Sequence, residues 1–164
     1  MFLKRSGGAA ELVIGSTDHL QIDVSLVNGG EDAFDTNLYL TLPVQVDFIR
    51  VESASSSYKI SCLESDELLD DDESVLMSCQ IGNPLQAKRS AVFSLVLQPN
   101  AARMNEDFAD GSKDSLHFTI HVNSSSPESN ATLGDNRKQI GVRLVVKNNL
   151  STRASVLWTF LFKK

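Results

Sequence analysis

Apolar and polar residues alternate one by one along much of this chain, and this alternation is the strongest constraint on its fold. The first clear case is the segment HLQIDVSLV at residues 19–27, in which four aliphatic residues share one side: Leu20, Ile22, Val24 and Leu26. Successive side chains of a β-strand point to opposite faces, so a period of two predicts a half-buried strand. Asn28-Gly29-Gly30 follows, and these residues tolerate a positive φ, so we predict a chain reversal there.

The same period recurs at intervals along the rest of the sequence. Further predicted strands cover residues 38–42, 46–52, 58–62, 75–81, 91–97, 116–122 and 140–147. A long helix is not predicted, because no window of about 12 residues has a 3.6-residue apolar period, although one turn around Phe108 is allowed. Many antiparallel strands without crossover helices predict an all-β fold, a two-sheet antiparallel β-sandwich.

Composition excludes several classes of function. The 164 residues suit one domain, and a hydrophobic content of 41% suffices for a core. A net charge of -6 disfavours nucleic acid as a partner. The N-terminal residues lack the apolar core of a signal peptide, and the apolar run Ala154–Phe162 is short of the about 20 residues of a spanning helix. We therefore expect neither a signal peptide nor membrane insertion from this segment itself.

The two cysteines are candidates for a disulfide. Cys62 falls on the same strand face as Ile60, and Cys79 on the same face as Met77 and Ile81, so both sulfurs are predicted to point toward the core. If the two strands form a hairpin, facing residues lie close enough for a disulfide. The alternative is a pair of free, buried thiols that act as small hydrophobic residues.

The sequence gives little support for a metal site or a catalytic site. The acidic segment between the cysteines lacks the central glycine of an EF-hand loop, which favours a solvated hairpin tip. His117 and His121 lie four residues apart in a predicted strand, about 13 Å, too far for one zinc ion, so we expect exposed strand histidines. No nucleophile elbow, phosphate loop or dinucleotide motif occurs. We therefore expect no enzyme, catalytic residue, metal or cofactor.

Three Asn-x-Ser/Thr sequons are candidates for N-glycosylation if the chain passes through a secretory compartment. They begin at Asn123, Asn130 and Asn149. Two of them fall in the polar segment 123–136, which is expected to be a surface loop. Together with the candidate disulfide they favour an extracellular location.

Several strings of residues, in order, resemble an integrin α subunit. A strand that ends in Asn28 is followed by Gly-Glu-Asp-Ala-Phe at 30–34 and then by alternating leucines that close on Leu42-Pro43. Later, Cys-Gln-Ile-Gly-Asn-Pro occupies 79–84, in which Gly82-Asn83-Pro84 is predicted to reverse the chain after Cys79. These motifs are similar to those of the first calf domain, in the leg of integrin α subunits.

The resemblance implies an immunoglobulin-like β-sandwich with a disulfide at the matching cysteines. It also implies a non-catalytic structural leg module that serves cell adhesion, to matrix or to other cells, within a heterodimeric receptor. The implied partners are an integrin β subunit and the neighbouring domains of the α subunit. The implied location is the cell surface, in the extracellular part of a single-pass plasma-membrane receptor.

The resemblance also suggests a division of the chain. Residues 1–11 are expected not to match, residues 12–147 to form the sandwich, and residues 148–164 to begin a second calf domain and then diverge. On this interpretation the chain is a fragment or a truncated product. The competing interpretation is a stand-alone secreted β-sandwich that binds protein or carbohydrate.

Overall fold

The computed structural model describes residues 11–14, 18–53, 58–69, 73–100, 102–104, 114–126, 136–146 and 154–162. These residues contain ten strands: β1 (Glu11–Ile14), β2 (Leu20–Asn28), β3 (Asn37–Pro43), β4 (Val46–Ser53), β5 (Ile60–Leu68), β6 (Ser74–Ile81), β7 (Ser90–Pro99), β8 (Ser115–Asn123), β9 (Arg137–Val146) and β10 (Ala154–Phe162). A short helical segment covers 102–104, and the predicted turn around Phe108 lies outside the described residues.

The strands form two sheets. The larger sheet has the order β1-β9-β8-β3-β6-β5 and the smaller one β10-β2-β7-β4. Neighbours pair antiparallel except at two edges, where β1 runs parallel to β9 and β10 runs parallel to β2. The predicted all-β, two-sheet sandwich is confirmed.

The core lies between the two sheets and follows the alternation of the sequence. In β2 the burial pattern alternates strictly, and the four aliphatic residues predicted to share a face are fully buried. Phe93 from β7 and Phe118 from β8 are the largest side chains of the same cluster. Each aromatic or aliphatic side chain of this kind stabilises the fold by about 1.5–3 kcal/mol when fully buried.

All eight predicted strands are present, and β3 ends at Pro43 as expected because proline has no N–H for the ladder. Two further strands, β1 and β10, were not assigned from the sequence. β1 is only four residues long. β10 runs ASVLWTFLF, in which apolar residues are nearly continuous, so no period of two marks it as a strand.

Candidate functional site

Three loops interlock at one end of the sandwich. They are residues 28–36 between β2 and β3, residues 82–89 between β6 and β7, and residues 124–126 after β8. We call this end the loop hub. It contains the reversal predicted directly after β2 and the one predicted at 82–84, which the fold brings together although about 50 residues of chain separate them.

Asn28 is the buried centre of the loop hub. Its side chain is fully buried, and its Nδ2 donates to the carbonyl oxygens of Glu31, at 2.5 Å, and Leu85, at 2.8 Å. Its Oδ1 accepts a hydrogen bond from the Gly30 N–H at 3.0 Å. Both donors and the acceptor of the amide are therefore satisfied without water, as a buried polar group requires.

Further contacts tie the first two loops directly to each other. Ala33 and Leu85 exchange two backbone hydrogen bonds, of 2.9 and 2.8 Å. Asp32 Oδ1 accepts from the Ala87 N–H at 2.7 Å. Lys88 Nζ donates to the Gly29 carbonyl oxygen. Each loop thus supplies hydrogen-bond partners for the other loop's backbone.

Gly82 makes the reversal after β6 possible. It has a φ of +58°, a conformation that glycine adopts at little cost. A Cβ at this position would lie 2.6 Å from Tyr58 Cδ1, so the tyrosine ring also requires glycine here. The first loop differs from prediction, because Gly82 alone among the described glycines has a positive φ. The reversal at 28–32 therefore depends on the Asn28 amide rather than on a left-handed glycine.

The third loop holds Phe34 at the surface. The Phe34 carbonyl oxygen accepts from the N–H of Ser125 at 3.0 Å and from its hydroxyl at 3.2 Å. The Phe34 N–H donates to Ser126 Oγ at 3.2 Å. Its side chain nevertheless stays 50% exposed. The hub therefore fixes the backbone of an aromatic residue whose ring remains available for contact.

The disulfide between Cys62 and Cys79 lies close to the hub. The two cysteines face each other in the register of β5 and β6, and their Cα atoms are 4.0 Å apart. This confirms the predicted disulfide, and the alternative of two free thiols is wrong. Cys79 is fully buried and Cys62 partly buried against the core.

The predicted histidines lie on the outer face of the larger sheet. His117 and His121 are both exposed, as expected from the alternation of β8. The His121 ring stacks on Tyr39, with 6.3 Å between ring centroids. His117 Nε2 lies 3.2 Å from the Ser115 hydroxyl. The described residues contain no group of three or more His, Cys, Asp or Glu side chains suited to hold a metal ion.

The acidic segment between the cysteines contributes to the β5–β6 hairpin. The pairing extends to Leu68 and Val75, and the Leu69 N–H donates to the Ser74 carbonyl oxygen at 2.9 Å. Residues 70–72, which hold three of its acidic side chains, lie outside the described residues. The hairpin part of that prediction is therefore confirmed.

The glycosylation candidates differ in what the structure says of them. Asn123 is exposed at the end of β8. Asn130 and Asn149 lie outside the described residues. Glycosylation at all three asparagines stays a prediction. As for membrane insertion, no helix in the described ranges has both the length and the apolar character needed to cross a bilayer.

A family of known proteins matches the part of the chain that contains the hub and the disulfide. The family model described as integrin alpha Ig-like domain 2 matches residues 2–146, which include all three loops of the hub and both cysteines. This chain belongs to the integrin α immunoglobulin-like domains. The predicted resemblance to an integrin α subunit is confirmed.

Individual relatives of this integrin α domain are similar at modest identity. Integrin alpha pat-2 of Caenorhabditis elegans is 30% identical over 145 residues, which cover 86% of this chain and 11% of that protein. Integrin alpha-PS2 of Drosophila melanogaster is 26% identical over 145 residues, covering 88% of this chain and 10% of that protein. Integrin alpha-E of Homo sapiens is 34% identical over 92 residues, which cover 54% of this chain and 7% of that protein. The integrin domain thus spans about a tenth of these relatives.

The division of this integrin domain from its flanks stays a prediction. The family match begins before residue 12, at residue 2, and ends at 146. Backbone pairing continues beyond residue 147, because β10 pairs with β2 over nine residues, from Ala154 with Leu20 to Phe162 with Asn28.

Sequence reasoning missed several residues that build the hub. It singled out Asn28 and Gly82 as turn residues but did not predict the buried amide, the Gly82–Tyr58 contact or the exposed Phe34. One usable signal was present, since an asparagine directly after a strongly alternating strand favours side-chain hydrogen bonds to nearby backbone. The partners across the hub carry no such signal, because they come from distant parts of the chain.

Proposed function

We propose that this chain is a non-catalytic structural leg module of an integrin α subunit. In this role it keeps the neighbouring domains of the α subunit at a fixed spacing, within a heterodimeric receptor for cell adhesion, to matrix or to other cells. The observation that carries the proposal is the integrin alpha Ig-like domain 2 match over residues 2–146. The proposal assigns the chain no catalytic residue and no cofactor.

The construction of the loop hub supports a role as a rigid spacer. A module that transmits position between its neighbours must resist bending where loops would otherwise move. Here the loop 28–36 is bonded to both other loops, through Asn28, Ala33 and Phe34. Backbone hydrogen bonds of this kind order a loop, whereas loops without them have low local stability.

The proposed partners are an integrin β subunit and the neighbouring domains of the α subunit. Phe34 supports contact with another protein part, because it is an aromatic side chain, half-exposed on a fixed backbone, and aromatic residues are enriched at interfaces. The proposed location is the extracellular part of a single-pass receptor at the cell surface. The Cys62–Cys79 disulfide supports it, since such bonds persist in oxidising compartments.

The test is surface labelling of cells that make the natural protein, followed by precipitation with an antibody against residues 18–53. The proposal expects a surface-labelled polypeptide that brings down an integrin β subunit. A secreted polypeptide without a β subunit would contradict it and support the stand-alone binding module instead. The reading frame around the coding sequence gives a second check, because a leg module must be continuous with other receptor domains.

A further inference from the structure

The outer face of the larger sheet carries a row of side chains that the proposed leg role does not use. β3, β8 and β9 place Tyr39, His121 and Arg137 directly opposite one another in register. Tyr39 is half-buried and His121 is exposed, and their rings are stacked with an interplanar angle of 23°. This row therefore offers two aromatic rings and one guanidinium to the solvent side of the sheet.

The row borders a shallow depression of about 420 Å³. Its lining side chains come from four neighbouring strands: Tyr39, Thr41, Leu76, Thr119, His121 and Arg137. Cavities that hold small ligands have volumes of about 300–1,000 Å³ and combine ring or apolar surface with a few polar groups. In size and composition the depression suits a small amphipathic ligand.

Asn123 lies on the same face of the sheet as this depression and begins the sequon Asn-Ser-Ser. It lies two residues after His121 on the same exposed face of β8, about 7 Å farther along the strand. Across the sheet it pairs with Asn37, the neighbour of Tyr39 on the corresponding face of β3. Anything attached to the Asn123 side chain therefore begins beside the two stacked rings.

The Asn123 amide is also held in a suitable way. Its Oδ1 accepts a hydrogen bond from the Ser124 N–H at 2.8 Å. Its Nδ2 makes no hydrogen bond to any side chain or backbone group in the described part of the chain. The nitrogen that carries an N-linked sugar is thus the end of the amide that the fold leaves open to solvent.

We propose that Asn123 is an N-glycan acceptor and that the first N-acetylglucosamine of its glycan packs on the Tyr39–His121 stack. A sugar ring has one face of C–H groups, which suits aromatic rings, and a rim of hydroxyl and amide groups. The hydroxyls of Thr41 and Thr119 and the Arg137 guanidinium provide hydrogen-bond partners for that rim. The glycan in this arrangement covers a face of the sheet that would otherwise expose rings to solvent.

This inference rests on the proposed extracellular function, because N-glycans are added in the secretory pathway. The test uses the full 164-residue chain, secreted from animal cells behind a cleavable leader, with Asn130→Gln and Asn149→Gln to remove the other two sequons. An endoglycosidase then trims any glycan to a single N-acetylglucosamine. Asn123→Gln in the same background is the matched control.

Intact mass is the first measurement. We expect the mass increment of one N-acetylglucosamine, which is absent in the Asn123→Gln control. A secreted, folded chain without a sugar at Asn123 would overturn the proposal. Because the leader supplies entry to the secretory pathway, this result does not depend on where the natural protein resides. A cytosolic natural protein would defeat the proposed function and leave the mass result unchanged.

Thermal unfolding tests the packing. We expect the sugar-bearing chain to unfold about 2–4 °C above the Asn123→Gln control, and this difference to fall below about 1 °C when Tyr39→Thr and His121→Thr are present in both chains. Threonine suits a strand, so these changes preserve the sheet. A Tm difference that survives the removal of both rings would show that the sugar does not pack on them.

Nuclear Overhauser contacts between the sugar and the Tyr39 ring provide a readout that does not depend on stability. We expect such contacts in the chain that keeps both rings. Their absence would overturn the packing even if Asn123 carries a sugar. If the doubly substituted chain is not secreted, the single change His121→Thr on the exposed face replaces it, and the Tm difference is then expected to fall by about half.

Discussion

Strand β6 is anchored in two different ways over a short distance. Near its C-terminal end, Cys79 is joined covalently to Cys62 of the neighbouring strand β5. Just beyond its end, Gly82 and Leu85 belong to the loop hub, which is held by hydrogen bonds and by the buried amide of Asn28. The first anchor needs only two cysteines and an oxidising compartment. The second needs many residues and is independent of redox conditions.

The two anchors also act on different states of the chain. In the chain-entropy model a disulfide stabilises by restricting the unfolded chain, so its effect depends on loop length rather than on the surroundings of the sulfurs. The hub acts in the folded state, where each buried polar group must keep its partner. The buried centre of the loop hub, Asn28, is therefore expected to tolerate substitution less well than the disulfide, whereas the exposed residues of the hub are expected to tolerate it better.

The largest effect is expected for Asn28→Asp. The change keeps the side-chain shape but removes the donor to Glu31 and Leu85 and places a carboxylate among carbonyl oxygens at a fully buried position. An unpaired buried charge costs about 3–5 kcal/mol. Chemical unfolding should show a loss of this size, equal in oxidising and reducing buffer.

Asn37→Asp is the matched control for the Asn28 prediction. Asn37 is only half-buried, and its Nδ2 donates to the Asp35 carbonyl oxygen near solvent. We expect a loss below about 1 kcal/mol. Equal losses at the two asparagines would show that burial of the hub amide has no special role.

The second largest effect is expected for Cys62→Ala. The two cysteines are separated by 17 residues, and closure of a loop of this length stabilises by about 3 kcal/mol in the chain-entropy model. Chemical unfolding in oxidising buffer should show that loss. A reducing agent should destabilise the natural chain by a similar amount and leave the variant unchanged. If the reducing agent does not change the free energy of unfolding of the natural chain, the disulfide does not contribute to its stability.

Gly82→Ala is expected to cost about 2 kcal/mol. Its φ of +58° strains any residue with a Cβ, and that Cβ would approach Tyr58 Cδ1 at 2.6 Å. Gly141→Ala is the control, since its Cβ would meet the His117 ring at an ordinary 3.8 Å. In thermal unfolding, the Gly82→Ala variant should have a lower Tm than the natural chain. The Gly141→Ala variant should have a Tm within about 1 °C of the natural chain. Similar Tm values for both would argue against a strained reversal at Gly82.

The smallest effect is expected for Asn83→Ala. Asn83 exchanges two hydrogen bonds with Asp35, of 2.8 and 3.3 Å, at an exposed position of the hub. Exposed hydrogen bonds exchange with water, so we expect a loss of about 0.5 kcal/mol. A double-mutant cycle with Asp35→Ala should return a coupling energy of similar size. A coupling above about 2 kcal/mol would mean that the surface of the hub matters as much as its centre.

Much of the fold could be predicted from the sequence because its signal is local. The alternation within β2 or β8 is set by neighbours two residues apart, and it fixes which side chains face the core. The Cys62–Cys79 pairing could be predicted for the same reason, since each cysteine shares a face with buried residues of its own strand. β10 could not, because its apolar residues do not alternate.

The loop hub was less predictable because its contacts are not local. Asn28 and Leu85 are 57 residues apart, and Phe34 and Ser126 are 92 residues apart. No periodicity or short motif in either loop predicts which distant loop it will contact. The sequence marks Asn28 and Gly82 as places where the chain turns, but only the assembled sandwich shows that the two turns satisfy each other's backbone groups.

The direction of β10 has a mechanical consequence. β10 runs parallel to β2, with Ala154 beside Leu20 and Phe162 beside Asn28, so Leu20 and Phe162 lie at opposite ends of the pair. A force that pulls these two residues apart acts along the strands and loads the hydrogen bonds between them together, in shear. An antiparallel pair of strands pulled apart from one end would instead lose its hydrogen bonds one after another. The parallel pairing of β10 with β2 therefore suits the smaller sheet to resist tension applied along its strands.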